Sequence, residues 1–259
     1  MNLEALKQLN EIPMPQIPKK RFPAEIVLSE YITSMQDVQL IQRQRPDFLE
    51  VSHKLVESVA NFGLKTVLLT DSPDQLETPN LSICTVPMFK DYQNVTLYFR
   101  RWEMAFQFLK QHPEIKKLAL VDVGDVTMLR YPFDEMEPGK LYFGDERSDL
   151  SVYIIQKNIG SPAMADFFEK YETLQLLNPG VIAGDRQTVL AYLGAVVVEL
   201  SQRVAEIQLT GQGHVGYLEM ALLNYVAYRD FATQLVHGRQ VTSRFLYQEK
   251  TSTAWFKHK

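Results

Sequence analysis

The feature that most constrains this chain is an alternation of short apolar runs with amphipathic helical patterns. Runs rich in β-branched and aliphatic residues, which are typical of strands, occur at 25–34, 64–70, 81–86 and 117–121. Segments 47–62 and 99–110 carry apolar residues every three or four positions, which is the spacing of one helical face. Strands separated by helices usually pair in parallel. We therefore predict an α/β fold with a mainly parallel central sheet flanked by helices.

The second half of the chain carries more helical patterns. A short strand is predicted at 141–144. Ser161 is a capping hydroxyl, and Pro162 follows it at the first position of a predicted helix. Apolar periodicity predicts two further helices over 185–202 and 217–228.

The composition fits one folded domain after a short arm. The sequence is 46% hydrophobic and 22% charged, which is ordinary for a globular protein. Residues 1–22 hold three prolines and a basic run, so we predict an N-terminal arm there and a single domain over 23–259. A net charge of −4 does not indicate the basic surface on which nucleic-acid binding depends.

Neither a secretory signal nor a membrane span is predicted. The first residues contain an early acid and no apolar core. No run approaches the roughly 20 apolar residues that a membrane helix needs. The single cysteine, Cys84, lies in an apolar run and has no partner for an intrachain disulfide. We expect a cytoplasmic protein.

The most informative segment is a carboxylate turn. The apolar run 118–121 ends in Asp122, and Asp125 follows three residues later with Gly124 between them. Two carboxylates beyond a strand end make a hard-oxygen site that suits Mg²⁺ or Mn²⁺. The alternative is that both aspartates only cap a turn by hydrogen-bonding to the backbone.

Four blocks, in order, resemble the GT-A fold glycosyltransferases, particularly the glycogenin and galactosyltransferase group. The family's Asp-x-Asp or Asp-x-x-Asp element and its following Pro-Phe pair match 122–125 and 132–133. The segment 177–184, LNPGVIAG, resembles the family's Asn-x-Gly-Val-x-x-Gly segment. Segment 216–224 resembles a later helix start, and 255–259, WFKHK, resembles a terminal His-Lys.

The resemblance implies a GT-A fold and transfer of a sugar from a nucleotide-diphosphate sugar to an acceptor hydroxyl, with Mn²⁺ or Mg²⁺ as cofactor. It implies that Asp122 and Asp125 bind the metal, that Asp122 also contacts the ribose or diphosphate, and that His258 is a further ligand. The alternative for His258 is a free tail residue. Trp255 and Phe256 beside it favour a docked tail.

The resemblance also implies roles near the transferred sugar. Asn178 would donate to the sugar, and Gly180 would let the backbone approach the ligand. Glu219 would accept a hydrogen bond from the acceptor hydroxyl or act as a base. The alternatives are ordinary turn chemistry for Asn-Pro-Gly and a helix-dipole interaction for Glu219.

Five further residues are candidates for nucleotide binding. Arg100 and Arg101 would approach the phosphates, for which the bidentate geometry of arginine is suited. Thr33, Ser34 and Asp71 follow the first two strands, where the base would lie. Solvated arginines and ordinary polarity at strand ends are the alternatives.

Two departures from the family pattern keep other functions open. Gly124 stands where relatives often carry Arg or Asp, and Glu219 stands where they often carry Asp. A catalytically inactive nucleotide-sugar-binding or scaffold protein is therefore the main alternative. A nucleotidyltransferase is disfavoured, because the segment after the first predicted strand, 35–38, lacks the glycine-rich loop typical of that class.

Overall fold

The computed structural model describes residues 20–39, 47–73, 76–88, 95–244 and 252–258, so the predicted N-terminal arm lies outside it up to residue 19. The strands are β1 (Glu25–Tyr31), β2 (Thr66–Thr70), β3 (Leu81–Thr85), β4 (Lys117–Val121), β5 (Val126–Met128), β6 (Leu141–Asp149), β7 (Gln175–Asp185), β8 (Leu235–Val236) and β9 (Phe256–His258). The helices are α1 (Phe48–Ala60), α2 (Leu97–Gln111), α3 (Tyr153–Gln156), α4 (Pro162–Lys170), α5 (Arg186–Thr210) and α6 (Met220–Phe231).

A seven-stranded sheet in the order β3-β2-β1-β4-β7-β6-β8 forms the centre of the fold. Strands β3, β2, β1 and β4 pair in parallel, as the alternating pattern predicted. Strand β7 runs antiparallel to both β4 and β6, so the sheet is mixed. The α/β prediction, with a mostly parallel sheet flanked by helices, is confirmed at this level.

Alternate residues of the strands face two different layers. Ile26 and Leu28 of β1 belong to the larger core, which α2, α5 and α6 cover. Val27, between them, belongs to a second core formed with α1, β5 and β9. Because side chains alternate across a strand, β1 is buried on both faces, so apolar residues follow one another at 26–28.

Strand β7 was not predicted, because Asn178, Pro179 and Gly180 read as a turn. The three residues instead lie inside this eleven-residue strand. The register of β6 against β7 shifts between Phe143 and Gly144, whose partners are Ile182 and Asn178. Proline cannot donate to a ladder, and an irregularity of this kind lets a strand accommodate it.

Helix α5 is longer than predicted and is the one helix in the described part of the chain that is long and apolar enough to cross a membrane. Half of its most apolar window is buried, and Val189, Leu193, Val196 and Leu200 lie in the larger core. A core helix passes the same test of length and composition, so α5 is weak evidence for a span.

A buried amide ties α6 to β7 just before Asn178. The Asn224 side-chain oxygen accepts from Leu177 N at 2.8 Å, and its Nδ2 donates to Leu177 O at 3.0 Å. Nδ2 also donates to Met220 O at 2.9 Å, one turn earlier in the helix. Asn224 is fully buried, so these backbone groups have no access to water in its place.

We expect Asn224→Ala to lower the free energy of unfolding by about 2–4 kcal/mol, because two buried backbone groups of Leu177 lose their partner. Urea unfolding followed by circular dichroism measures the change. The matched control is Gln202→Ala, which removes an exposed amide from α5 and should change stability by less than about 0.5 kcal/mol. Equal effects of the two variants would contradict a stabilising role for the hydrogen bonds between Asn224 and Leu177.

Candidate metal and ligand site

The carboxyl ends of β1 and β4 open on a cavity of about 250 Å³. This is the edge of an α/β sheet at which ligands usually bind. The lining contains four acids and one arginine among mainly apolar neighbours. The charged lining residues are Glu30, Asp37, Arg101, Asp122 and Asp125.

Two hydrogen bonds fix the backbone where β4 enters this cavity. The hydroxyl of Ser29 in β1 donates to Val121 O at 2.6 Å. The backbone N–H of Asp122 then donates to Gly180 O of β7 at 3.1 Å. The first acid of the turn is therefore held between the two strands that flank β4.

A two-stranded ribbon brings His258 to the same place. Strand β9 pairs antiparallel with β5, with Val126 opposite His258, so the histidine lies beside Asp125. Trp255 anchors the ribbon, because its backbone N–H donates to Gln240 O at 2.7 Å and its indole is fully buried. His258 thus lies on a docked strand, as Trp255 and Phe256 predicted, and is itself buried.

The ring of His258 packs directly on the backbone of Gly180. A Cβ added at Gly180 would overlap the ring, approaching its Nδ1 to 2.5 Å and its Nε2 to 2.7 Å. The sequence suggested that Gly180 allows close approach of a ligand. In the structure the close approach is made by His258.

Asp122, Asp125 and His258 form a group that fits a divalent cation. The His258 Nε2 lies 3.5 Å from Asp122 Oδ2 and 3.5 Å from Asp125 Oδ2. One ligand atom from each residue lies within 4.8 Å of the others. Nε2 is buried and forms no hydrogen bond within the described residues. An imidazole nitrogen facing two carboxylates is a donor set suited to Mn²⁺.

The charges of the group can be balanced either by a proton or by a cation. Burial lowers the pKa of His258, but the two carboxylates outweigh burial and raise the pKa to about 9. Burial raises the pKa of Asp122, whereas Arg101 and His258 hold it well below its ordinary value. The aspartate is therefore ionised, and a proton on His258 and a divalent cation are alternative ways to neutralise the group.

Arg101 orients Asp122 for this arrangement. Its Nη2 donates to Asp122 Oδ1, which leaves Oδ2 facing His258. Its Nε lies 3.6 Å from Glu30 Oε2. One guanidinium therefore holds Asp122 on one side and the buried carboxyl of β1 on the other. Groups of this kind, which hold a ligand from behind, strongly affect metal affinity.

Glu219 is the second buried acid near Arg101. It is the residue before α6, and its side chain makes no capping hydrogen bond. Burial raises its pKa to about 7, although Arg101 opposes the increase. Asp122 also contributes to this increase through its charge, so Glu219 belongs electrostatically to the same group. A carboxyl with a pKa near 7 is present at pH 7 in both its protonated and its ionised form, which is the acidity expected of a general acid or base.

Eight predicted residues are not among those lining the cavity: Thr33, Ser34, Asp71, Arg100, Asn178, Gly180, Glu219 and His258. The polar groups of four of them, Thr33, Ser34, Asp71 and Asn178, have local partners. The Asp71 carboxylate accepts from Thr33 N at 2.6 Å, from Thr33 Oγ1 at 2.9 Å and from Ser34 N at 3.0 Å. Asn178 accepts from Gly180 N at 2.8 Å and donates to Glu146. These contacts shape the loop after β1 and the bend in β7.

The two adjacent arginines diverge, and neither is solvated. Arg101 enters the cavity, whereas Arg100 is buried and pairs with Glu103 one turn later, Nη1 to Oε2 at 3.1 Å. Neighbouring residues on a helix point about 100° apart, so they reach different surroundings. Arg100 therefore contacts Glu103 in the core and does not enter the cavity.

Sequence reasoning missed Glu30. It lies on the same face of β1 as Ile26 and Leu28, which are fully buried. An acid at a position where the period of two requires an apolar residue is a signal that was available in the sequence. Tyr98 was also missed. It lines the cavity and donates to Asp37 Oδ1 at 2.8 Å.

Comparison with known proteins does not identify the chain. No known family model matches it, and no curated protein matches its sequence. A function for this chain is therefore inferred from the geometry of the site and from the order of the sequence blocks.

We expect Gly180→Ala to displace the His258 ring, because the added methyl group would overlap it. The free energy of unfolding should fall by about 1–3 kcal/mol, and the affinity for Mn²⁺ should fall at least tenfold. Gly180 has no positive φ, so the backbone itself tolerates alanine. Urea unfolding and isothermal titration of Mn²⁺ measure the two effects.

The control is Gly180→Ala in a variant that lacks the imidazole ring of His258. In a His258→Ala background, Gly180→Ala should cost less than half as much stability, since the methyl group then has room. An undiminished cost would show that Gly180 matters for a reason other than its contact with His258.

Glu103 should make stability depend on pH. Burial raises its folded pKa from 4.5 to about 7, although Arg100 opposes the increase. The folded state therefore keeps a proton that the unfolded state loses, so stability falls as pH rises from 4.5 to 7. In Glu103→Gln, the loss of the free energy of unfolding over this pH range should be smaller by on the order of 3 kcal/mol.

Urea unfolding between pH 5 and 8 in the presence of EDTA measures that slope. The control is Glu172→Gln, which changes an exposed glutamate and should leave the slope as in the wild type. A Glu103→Gln slope equal to that of the wild type would contradict a raised pKa at this position.

Proposed function

We propose that this protein is a metal-dependent glycosyltransferase with a GT-A type fold, which moves a sugar from a nucleotide-diphosphate sugar to an acceptor hydroxyl. The observation that carries the proposal is the group of Asp122, Asp125 and His258 at the carboxyl end of a central strand. Order and spacing of the sequence blocks support it. The ribbon of β5 and β9 joins the first of these blocks to the last.

The three residues of the group would hold Mn²⁺ or Mg²⁺. Such an ion, when bound, supplies positive charge that stabilises a departing diphosphate. Asp122 is already oriented by Arg101, and His258 by Gly180. The chain therefore holds its ligand atoms in place before any ligand arrives, which is what electrostatic preorganisation requires.

Two residues have chemistry suited to the ends of the reacting bond. Arg101 carries a permanent positive charge at the cavity wall, where a phosphate oxygen of the donor would meet it. Glu219 has a pKa of about 7, raised by burial, so its carboxylate can accept a proton from an acceptor hydroxyl near neutral pH. We propose these two roles for them.

The alternative is a protein that binds a nucleotide sugar without transferring it. The departures from the family pattern at Gly124 and Glu219 are the reason for this alternative. Turnover separates the two functions.

The cytoplasmic location expected from the sequence stays a prediction.

A thermal-shift panel of nucleotide sugars with and without Mn²⁺ tests the proposal. At a concentration of about 100 Kd, a ligand that binds only the folded state adds about 2.7 kcal/mol of stability. For a chain of this length we expect the melting temperature to rise by at least about 5 °C, and only when Mn²⁺ is present. Release of nucleoside diphosphate in the presence of acceptors then measures turnover.

Asp125→Ala should remove the dependence on Mn²⁺, since it deletes one of the three ligands. Asp134→Ala, which removes an exposed carboxylate outside the group, should respond as the wild type does. A wild-type protein that shows no metal-dependent response to any nucleotide sugar would refute the proposal. Binding without turnover would favour the non-catalytic alternative.

A further inference from the structure

Glu30 is a buried carboxyl whose oxygens lack hydrogen-bond partners. Its side chain is 1% exposed, and neither oxygen forms a hydrogen bond within the described residues. Its nearest charged partner is Arg101, whose Nε lies 3.6 Å from Oε2, beyond hydrogen-bonding distance. The residue nevertheless lines the cavity beside Asp122.

The fold does not require an acid at this position. Ile26 and Leu28 fill the same face of β1 with apolar side chains. A carboxyl buried without hydrogen bonds destabilises the folded state, and burial raises the pKa of Glu30 to about 8. Costly polar groups of this kind are typical of sites where a ligand supplies the missing partner.

The position of Glu30 relative to Asp122 and Arg101 limits the chemistry of the ligand that could supply the missing hydrogen bonds. The guanidinium of Arg101 contacts both Glu30 and Asp122, so a ligand whose phosphates lie at Asp122 extends towards Glu30 within one molecule. The positive charge of Arg101 disfavours a second cation there. Two oxygens side by side on one carboxyl are suited to two neighbouring hydroxyl groups.

We infer that Glu30 binds a vicinal diol of the sugar-nucleotide donor through both of its carboxyl oxygens. This inference rests on the proposed function. The diol belongs either to the ribose or to the sugar that is transferred, since both carry neighbouring hydroxyls. Glu30 would then determine specificity without contacting the metal ion.

Glu30→Met tests the inference, because methionine fills a similar volume with an unbranched apolar side chain. Isothermal titration in the presence of Mn²⁺ first identifies which of UDP, GDP, ADP and CDP binds. One arm compares that nucleotide with its 2′-deoxy form, and the other compares it with its sugar conjugate. Each arm gives an affinity ratio for the wild type and for the variant.

In the wild type we expect the preferred compound of one arm to bind at least tenfold more tightly than its comparison. In Glu30→Met that ratio should fall to within about threefold, and the arm that responds identifies the diol. Glu30→Gln, which keeps a donor and an acceptor, should retain part of the ratio. The affinity for Mn²⁺ alone should stay within about twofold of the wild type.

The melting temperature of the ligand-free protein separates this role from a structural one. Glu30→Met should raise it by about 2–4 °C, because a buried carboxyl that lacks hydrogen bonds is removed. If a nucleotide binds and both affinity ratios are the same in Glu30→Met and Glu30→Gln as in the wild type, the inference is overturned and the proposed function is left intact. A wild-type protein that binds none of the four nucleotides would overturn both.

Discussion

The contact between the ring of His258 and the backbone of Gly180 is the constraint on which the site depends. Gly180 also accepts the hydrogen bond from Asp122 N at 3.1 Å, so one residue of β7 places both an acid and the imidazole. A side chain at Gly180 would separate them. The register between β6 and β7 shifts at Asn178, two residues before Gly180. The hydrogen bonds between Asn224 and Leu177 fix the strand just before this shift.

Charge is the second organising factor. Asp122, Asp125, Glu30 and Glu219 surround one guanidinium and one imidazole, which leaves an excess of negative charge in a partly buried space. The folded chain reduces this excess by protonation, since burial raises the pKa values of both glutamates. A divalent cation at the aspartates would replace the proton on His258 in balancing their charge, which agrees with the hard-oxygen chemistry of the turn.

Much of the fold was predictable because its signals are local. The strands β1 to β4 and the helices between them follow from apolar periodicity, and Ser161 caps α4 by accepting from Met164 N at 3.1 Å, as expected. Strand β7 was missed because Asn-Pro-Gly is turn chemistry in isolation. Its neighbours β4 and β6 supply the hydrogen bonds that keep the segment extended. Strands β5 and β9 are three residues each and carry too little pattern to detect.

By itself, the sequence determined that the chain alternates strand and helix, and that two aspartates follow the end of a buried strand, because these are properties of consecutive residues. The resemblance suggested His258 as a further ligand, and the tertiary structure placed it beside them. The tertiary structure alone decided that Arg101 rather than Arg100 enters the cavity, and that Glu30 forms no hydrogen bond within the described residues. Each of those facts depends on residues far apart in the chain. Pairing between distant strands and burial by distant helices are set by the packing of the whole domain, which no local pattern records.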